Sequence, residues 1–145
     1  MSRPTCETRA VETSPPVELV RSPDLTAKAP YAYAAVAHGA TRLVFTAGAC
    51  PLDSSGNTVA IGDVAGQAEQ VMANLEVALR AAGVGLGDVV KTTVYVATQR
   101  QEDLVSAWEV VRRRFGDHDA PSTLLGVAVL GYPDQLVEVE AVAAR

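Results

Sequence analysis

The sequence has few of the residues that mark several common kinds of site. Its two cysteines, Cys6 and Cys50, are too few and too far apart for a disulfide framework. Its two histidines, His38 and His118, have no further metal-binding side chain at ligand spacing, so we expect no metal site. Serine-nucleophile signatures such as Gly-x-Ser-x-Gly are also missing. These absences argue against a disulfide scaffold, a metalloenzyme and a serine hydrolase, and Cys50 is interpreted as an inert core thiol.

Charge and hydropathy argue against further classes of protein. The net charge is −5 at pH 7, and this acidic balance provides no basic surface for nucleic acid. No apolar run approaches the roughly 20 residues of a membrane span. The N-terminal residues also lack the apolar core of a secretion signal. We therefore expect a cytoplasmic protein that has neither a nucleic-acid partner nor a membrane partner.

The composition that remains is typical of one globular domain. Hydrophobic residues make up 48% of the 145 residues and charged residues 20%, which is the balance of a soluble fold. Aromatic residues make up only 5%, so valine, leucine and alanine must build the core. Residues 1–16 are rich in polar residues and proline, have no hydrophobic period, and predict a flexible tail. Residues 17–145 are predicted to form a single domain.

Hydrophobic periodicity predicts two helices. The first covers about residues 64–82, with Asp63 as its N-cap and Gly83 just past its end. The second covers about residues 101–115 and ends at Gly116. Strands rich in β-branched residues surround these helices. They are predicted at about residues 17–20, 43–46, 89–97, 123–130 and 136–143, and the apolar segment 31–37 alternates too weakly to be oriented.

This order of elements predicts an α+β two-layer sandwich, in which two helices cover one face of a mixed sheet. On the last strand, Glu138 and Glu140 are two residues apart, so both carboxylates point to one side of the sheet. A solvent-facing role is the simpler interpretation, and it is preferred for Glu138. Glu140 lies beside Ala141, where partial desolvation would suit proton transfer.

Several segments, taken in order, resemble the RidA/YjgF family of enamine/imine deaminases. They are Ala-Pro-Tyr at 29–31, Leu-Val-Phe-Thr-Ala-Gly at 43–48, Asp-Val-Val-Lys-Thr-Thr-Val-Tyr-Val at 88–96 and Val-Glu-Val-Glu-Ala-Val-Ala at 137–143. The resemblance covers about residue 17 to the C-terminus. It implies a chorismate-mutase-like fold and a homotrimer with a barrel-like centre. It also implies three intersubunit clefts that bind a small acid, and hydrolysis without a cofactor.

The resemblance also assigns site residues. It implies that Glu140 handles water and that Tyr31 belongs to the catalytic pocket. It implies that the remaining pocket residues contact the substrate; these are Ala47, Gly48, Trp108, Ser122, Thr123 and Leu124. Tyr31 depends on a three-residue match, and Trp108 lies on the apolar helix face, where a core position is equally consistent with the sequence.

Ser122 is the most informative departure from the family pattern, because family members usually carry there an arginine that holds the substrate carboxylate. Ala47 and Trp108 also replace polar residues, so the pocket is predicted to be more apolar and less cationic. Three arginines elsewhere could reach the cleft and compensate, namely Arg42, Arg100 and Arg112, but the sequence places none of them. Residues 112–114 are otherwise interpreted as a solvated helix end or a subunit contact.

Three functions are consistent with the sequence. The first is hydrolysis of enamines or imines, altered by the loss of the arginine. The second is non-catalytic binding of a small molecule or a regulatory partner in the clefts of a trimer. The third is a changed reaction, such as tautomerisation or another hydrolysis, in which Glu140 still moves protons. A ribonuclease activity, described for some family members, is disfavoured by the acidic balance.

Overall fold

The computed structural model describes residues 16–145. The predicted tail, apart from Pro16, lies outside the described residues. The elements follow the order βββαβαββ. They are β1 (Val17–Val20), β2 (Ala34–Ala37), β3 (Leu43–Phe45), α1 (Val64–Ala81), a 3-10 turn (Leu86–Asp88), β4 (Val89–Ala97), α2 (Gln101–Phe115), β5 (Ser122–Val127) and β6 (Val137–Ala144).

The strands form two sheets. A four-stranded mixed sheet has the order β3-β6-β4-β5, in which only β4 and β5 run parallel. Helix α2 makes the crossover between these parallel strands, as a parallel pair requires. Strands β1 and β2 pair separately as an antiparallel ribbon. The predicted α+β fold with a mixed sheet is confirmed, and the front of the chain adds the second, smaller sheet.

The helix ends confirm the capping predictions. The Asp63 side chain accepts a hydrogen bond from the Gly66 amide at 3.0 Å and so caps α1. Gly83 has a φ of 79°, a left-handed conformation that suits glycine just past a helix end. Gly116, with a φ of 61°, follows α2 in the same way. Local sequence therefore sets where both helices stop.

Strand β5 ends earlier than predicted. Its pairing with β4 finishes at Val127 opposite Ala97, which is the last residue of β4. Beyond this pair, no strand within residues 16–145 lies beside β5 to continue the ladder. The apolar segment 128–130 therefore leaves the sheet despite its strand-like composition.

The two faces of the four-stranded sheet have different surroundings. One face packs against α1 and α2 and is largely buried from solvent. Its fully buried side chains include Val94, Val96 and Val139. The other face, here called the open face, carries Lys91, Thr93 and Tyr95 from β4 and Glu138, Glu140 and Val142 from β6. Leu43 and Phe45 extend the open face on β3, and they are 61% and 72% exposed. Within residues 16–145, neither helix is long and apolar enough to cross a membrane.

Candidate functional site

Five of the eight predicted site residues line one cleft of about 390 Å³. They are Tyr31, Trp108, Ser122, Thr123 and Leu124. Tyr31 comes from the connection before β2, Trp108 from α2 and the other three from the start of β5. The cleft thus lies at the exposed edge strand of the sheet, where β5 meets α2.

Aromatic rings form one wall of this cleft. The Tyr31 and Trp108 rings meet edge to face, with centroids 6.2 Å apart and planes at 81°. Trp108 is partly buried and also packs against the hydrophobic core. Trp108 therefore packs against the core on one side and lines the cleft on the other.

The Ser122 hydroxyl is turned inward and is already hydrogen-bonded twice. It donates to the Ala120 carbonyl at 3.0 Å. It lies 2.6 Å from the hydroxyl of Thr92, which is fully buried. Since a serine hydroxyl has one proton, that of Ser122 has none left to donate to a ligand carboxylate in this arrangement. Ser122 therefore does not replace the donor fork of an arginine.

Glu140 lies on the open face, away from Trp108. Its carboxylate accepts a hydrogen bond from the Tyr95 hydroxyl at 2.8 Å, and this bond raises the pKa of the Tyr95 phenol. Glu140 lines a separate depression of about 230 Å³, together with Lys91 and Phe45. The structure therefore does not bring Glu140 into the cleft that Tyr31 lines.

A second carboxylate, Glu138, lies in a corner that the sequence did not single out. Ala49 pairs with Val139, which brings the neighbouring Gly48 against Glu138. A Cβ atom at position 48 would overlap the Glu138 carboxylate, so the glycine leaves room for that carboxylate. Gln135 Nε2 donates to Glu138 at 3.0 Å. Gly48, predicted as a pocket wall, is therefore next to Glu138.

Ala47 and Cys50 flank this corner on either side of Gly48. Ala47 is exposed, whereas Cys50 is half-buried. Burial, and then the Glu138 carboxylate, raise the pKa of the Cys50 thiol. The interpretation of Cys50 as an inert thiol is consistent with this, because a raised pKa lowers the thiolate fraction.

The predicted site residues therefore fall into two groups on opposite faces of the sheet. Ser122 pairs with the buried Thr92, whereas Glu140 pairs with the next residue, Thr93. Successive residues of a strand point to opposite faces, so Ser122 points toward the helices and Glu140 toward the open face. Thr123, on the edge strand, accepts a hydrogen bond from Lys91 at 2.7 Å and borders both regions. In one chain, the predicted site residues therefore lie in two separate regions, the cleft and the open face.

Comparisons with known proteins agree with the fold and with the sequence resemblance. The family model of endoribonuclease L-PSP matches residues 22–145. A 2-iminobutanoate/2-iminopropanoate deaminase from Salmonella typhimurium is 36% identical over 71% of this chain and 80% of that protein. A RutC family protein from Pyrococcus horikoshii is 34% identical over 73% of this chain and 82% of that protein.

Solved structures agree as well. A Rid family protein of unknown function, YyfB from Yersinia pestis, superposes with a TM-score of 0.81 at 26% identity, covering 90% of this chain and 99% of that one. The YjgF gene product of Escherichia coli gives a TM-score of 0.62 at 33% identity, covering 82% and 91%.

Proposed function

This chain belongs to the RidA/YjgF (endoribonuclease L-PSP) family, and we propose that it hydrolyses a reactive enamine or imine without a cofactor. In the proposed reaction, the oxygen of water bonds to the imine carbon. The carbon–nitrogen bond then breaks, ammonia leaves and a carbonyl product remains. The observation that carries the proposal is the paired arrangement of an aromatic cleft at Tyr31 and Trp108 and half-buried carboxylates on the open face. The names of relatives at 34–36% identity, 2-iminobutanoate/2-iminopropanoate deaminase, support the same chemistry.

The active form in this proposal is a homotrimer with a barrel-like centre. Leu43 and Phe45 expose large apolar side chains on the open face, where burial against another copy would remove them from water. The two separate regions, on opposite faces of one chain, also favour assembly, because a cleft from one copy would meet a carboxylate from the next. The small-molecule substrate would then bind between subunits.

Two carboxylates compete for the role of positioning water. The resemblance assigns this role to Glu140, one of whose oxygens accepts a hydrogen bond from the Tyr95 hydroxyl. Glu138 lies against Gly48, in the space that a side chain at position 48 would occupy, and accepts a hydrogen bond from Gln135. We extend the proposal to Glu138 because the resemblance assigns its neighbour Gly48 to the pocket wall. Tyr31 is proposed to hold the substrate against Trp108 rather than to transfer a proton.

The test is ammonia release from freshly generated 2-aminoacrylate and from a bulkier, apolar 2-imino acid. We expect Glu138→Gln to lower kcat/KM by about 10²-fold or more, as the loss of a general acid–base group does. Glu140→Gln is the matched control, because Glu140 lies two residues further along the same strand and on the same face. It should lower kcat/KM by less than about tenfold. Catalysis that survives in Glu138→Gln but not in Glu140→Gln would return the role to Glu140. No acceleration by the wild-type protein on either substrate would refute the proposed function.

A non-catalytic binding protein is the second candidate function. The Ser122 arrangement favours it, because the hydroxyl offers no free donor to a substrate carboxylate. A trimer that binds a small molecule in the same clefts, yet shows no Glu138-dependent or Glu140-dependent ammonia release, would fit this alternative.

A further inference from the structure

The three arginines that could compensate for Ser122 lie in different places. Arg42 contacts the Gly83 carbonyl at 3.4 Å, beyond the end of α1. Arg100 lies 3.7 Å from the Glu102 carboxylate at the start of α2. Arg112 borders a small cavity whose other walls include Trp108 and Ser122. Only Arg112 of the three lies next to the cleft.

Arg112 follows Trp108 by one helical turn, so both side chains leave the same side of α2. The cavity that they share with Ser122 and Pro30 adjoins the aromatic cleft, because Trp108 and Ser122 line both. On its other side, Arg112 and Pro30 also line a polar pocket of about 410 Å³. Arg112 thus stands where the aromatic cleft and a charged pocket meet.

The neighbouring charges leave Arg112 available. Arg21, in the same polar pocket, forms an ion pair with Asp119 and donates to the Tyr31 carbonyl at 3.0 Å. Arg112 itself forms no ion pair within residues 16–145, and its side chain is exposed. Asp117 is the one other carboxylate that lines the pocket, opposed there by Lys28 as well as Arg112.

The two residues that follow Arg112 are not available in this way. Arg113 pairs with Glu69, and Arg114 with Glu76 at 3.1 Å. Both ion pairs tie α2 to α1, which gives these arginines a structural role. Of the three consecutive arginines, Arg112 is therefore the one that can turn toward a ligand.

We infer that Arg112 binds the carboxylate of a small acid whose apolar part packs against Tyr31 and Trp108. Arg112 would thus replace the arginine that family members usually carry at position 122. The identity of this ligand as a small acid rests on the proposed function. A guanidinium brings two parallel donors to a carboxylate, which neither the Ser122 hydroxyl nor a lysine ammonium reproduces. Because Arg112 enters from the helix rather than from the strand, the bound acid would lie closer to α2.

Lys91 is the competing cation. Its ammonium donates to Thr123 at 2.7 Å, and Thr123 borders the cleft. Lys91 nevertheless lies on the open face with Glu140, on the other side of the sheet from Trp108. The experiment must therefore separate Arg112 from Lys91.

The sequence has a single tryptophan, so intrinsic fluorescence reports on the cleft wall directly. We would titrate the full-length assembled protein with 2-oxobutanoate and with its neutral amide, and obtain Kd from the Trp108 signal or by calorimetry. The variants are Arg112→Gln, Arg112→Lys and, as matched controls, Arg113→Gln and Lys91→Gln. Arg112 is exposed, so equal thermal unfolding temperatures should show that Arg112→Gln folds normally.

We expect Arg112→Gln to weaken 2-oxobutanoate binding about tenfold or more while leaving amide binding unchanged, as loss of a charge-assisted contact does. Arg112→Lys should recover only part of this, and adding Ser122→Arg to Arg112→Gln should restore binding. An unchanged Kd in Arg112→Gln, an equal loss for acid and amide, a loss confined to Lys91→Gln, or no acid binding by the wild type would each overturn the inference. Glu138-dependent ammonia release that persists unchanged in Arg112→Gln would leave the proposed function standing and remove only the role of Arg112.

Discussion

The cleft and the Gly48–Glu138 corner differ in how much of a binding site each provides within one chain. The cleft at Tyr31 and Trp108 is assembled from the edge strand, α2 and the segment before β2, and it already has an aromatic wall and a defined volume. The Gly48–Glu138 corner has a carboxylate packed against the glycine, and it lies on the face that also carries the exposed Phe45. Under the proposed function, the cleft would recognise the ligand and the corner would carry out the chemistry.

The largest effect should come from disturbing the open face, because the account requires another copy to cover it. Phe45→Asp places a charge on a side chain that is 72% exposed in one chain and buried in the proposed trimer. We expect dissociation to monomers and loss of measurable ammonia release. Val77→Asp is the matched control, since Val77 is 55% exposed on α1. Light scattering after gel filtration measures the oligomeric state of both variants. A Phe45→Asp variant that remains a fully active trimer would show that the open face is not the subunit interface.

A smaller effect is expected on the face of the sheet that packs against the helices, at Thr92 of β4. Thr92→Val removes the buried hydroxyl that lies 2.6 Å from Ser122 and leaves the shape of the side chain nearly unchanged. Loss of this buried hydrogen bond should lower the free energy of unfolding by about 1–2 kcal/mol. Thr93→Val, the adjacent residue on the open face, should change it by less than about 0.5 kcal/mol. Urea unfolding checks both values, and equal losses would show that the two faces do not differ as described.

The smallest effect concerns Cys50. Burial and the Glu138 carboxylate raise the pKa of this thiol. Removing the charge of Glu138 should therefore lower the pKa of Cys50 and increase its thiolate fraction at a given pH. In a Cys6→Ser background, Glu138→Gln should therefore shift the pH profile of iodoacetamide alkylation toward lower pH. Burial is the larger cause, so the shift should be modest. An unchanged or upward shift would place Glu138 away from Cys50.

Local patterns predicted the elements well, while the relation between them needed the structure. Strand β4 and helix α2 have the predicted bounds because β-branched residues, an apolar stripe and Gly116 define them locally. The end of β5 depends on where its partner β4 stops, which is a tertiary property. The sequence predicted correctly that Glu138 and Glu140 share a face. It could not show that Ser122 faces the other side, because that depends on the register of β4 with both β5 and β6.

The same limit applies to the charges around the cleft. The sequence named Arg42, Arg100 and Arg112 as equivalent candidates, because nothing in the sequence shows which of them lies near the cleft. Folding places Arg112 one turn from Trp108 and ties Arg113 to Glu69. Alternation with the neighbouring valines favours a solvent-facing Glu138, and no local pattern shows that it lies against Gly48, which is ninety residues away in the sequence.

The most direct test of the central claim, that one site combines the cleft of one copy with the corner of another, is complementation between two inactive variants. Trp108→Ala would disable the cleft and Glu138→Gln the corner, each in an otherwise intact chain. We would unfold the two variants together in equal amounts, refold the mixture and measure ammonia release. If sites form between copies, random assembly joins an intact cleft to an intact corner at about one site in four, so the mixture as a whole should regain about a quarter of wild-type activity. A mixture no more active than either variant alone would contradict the account.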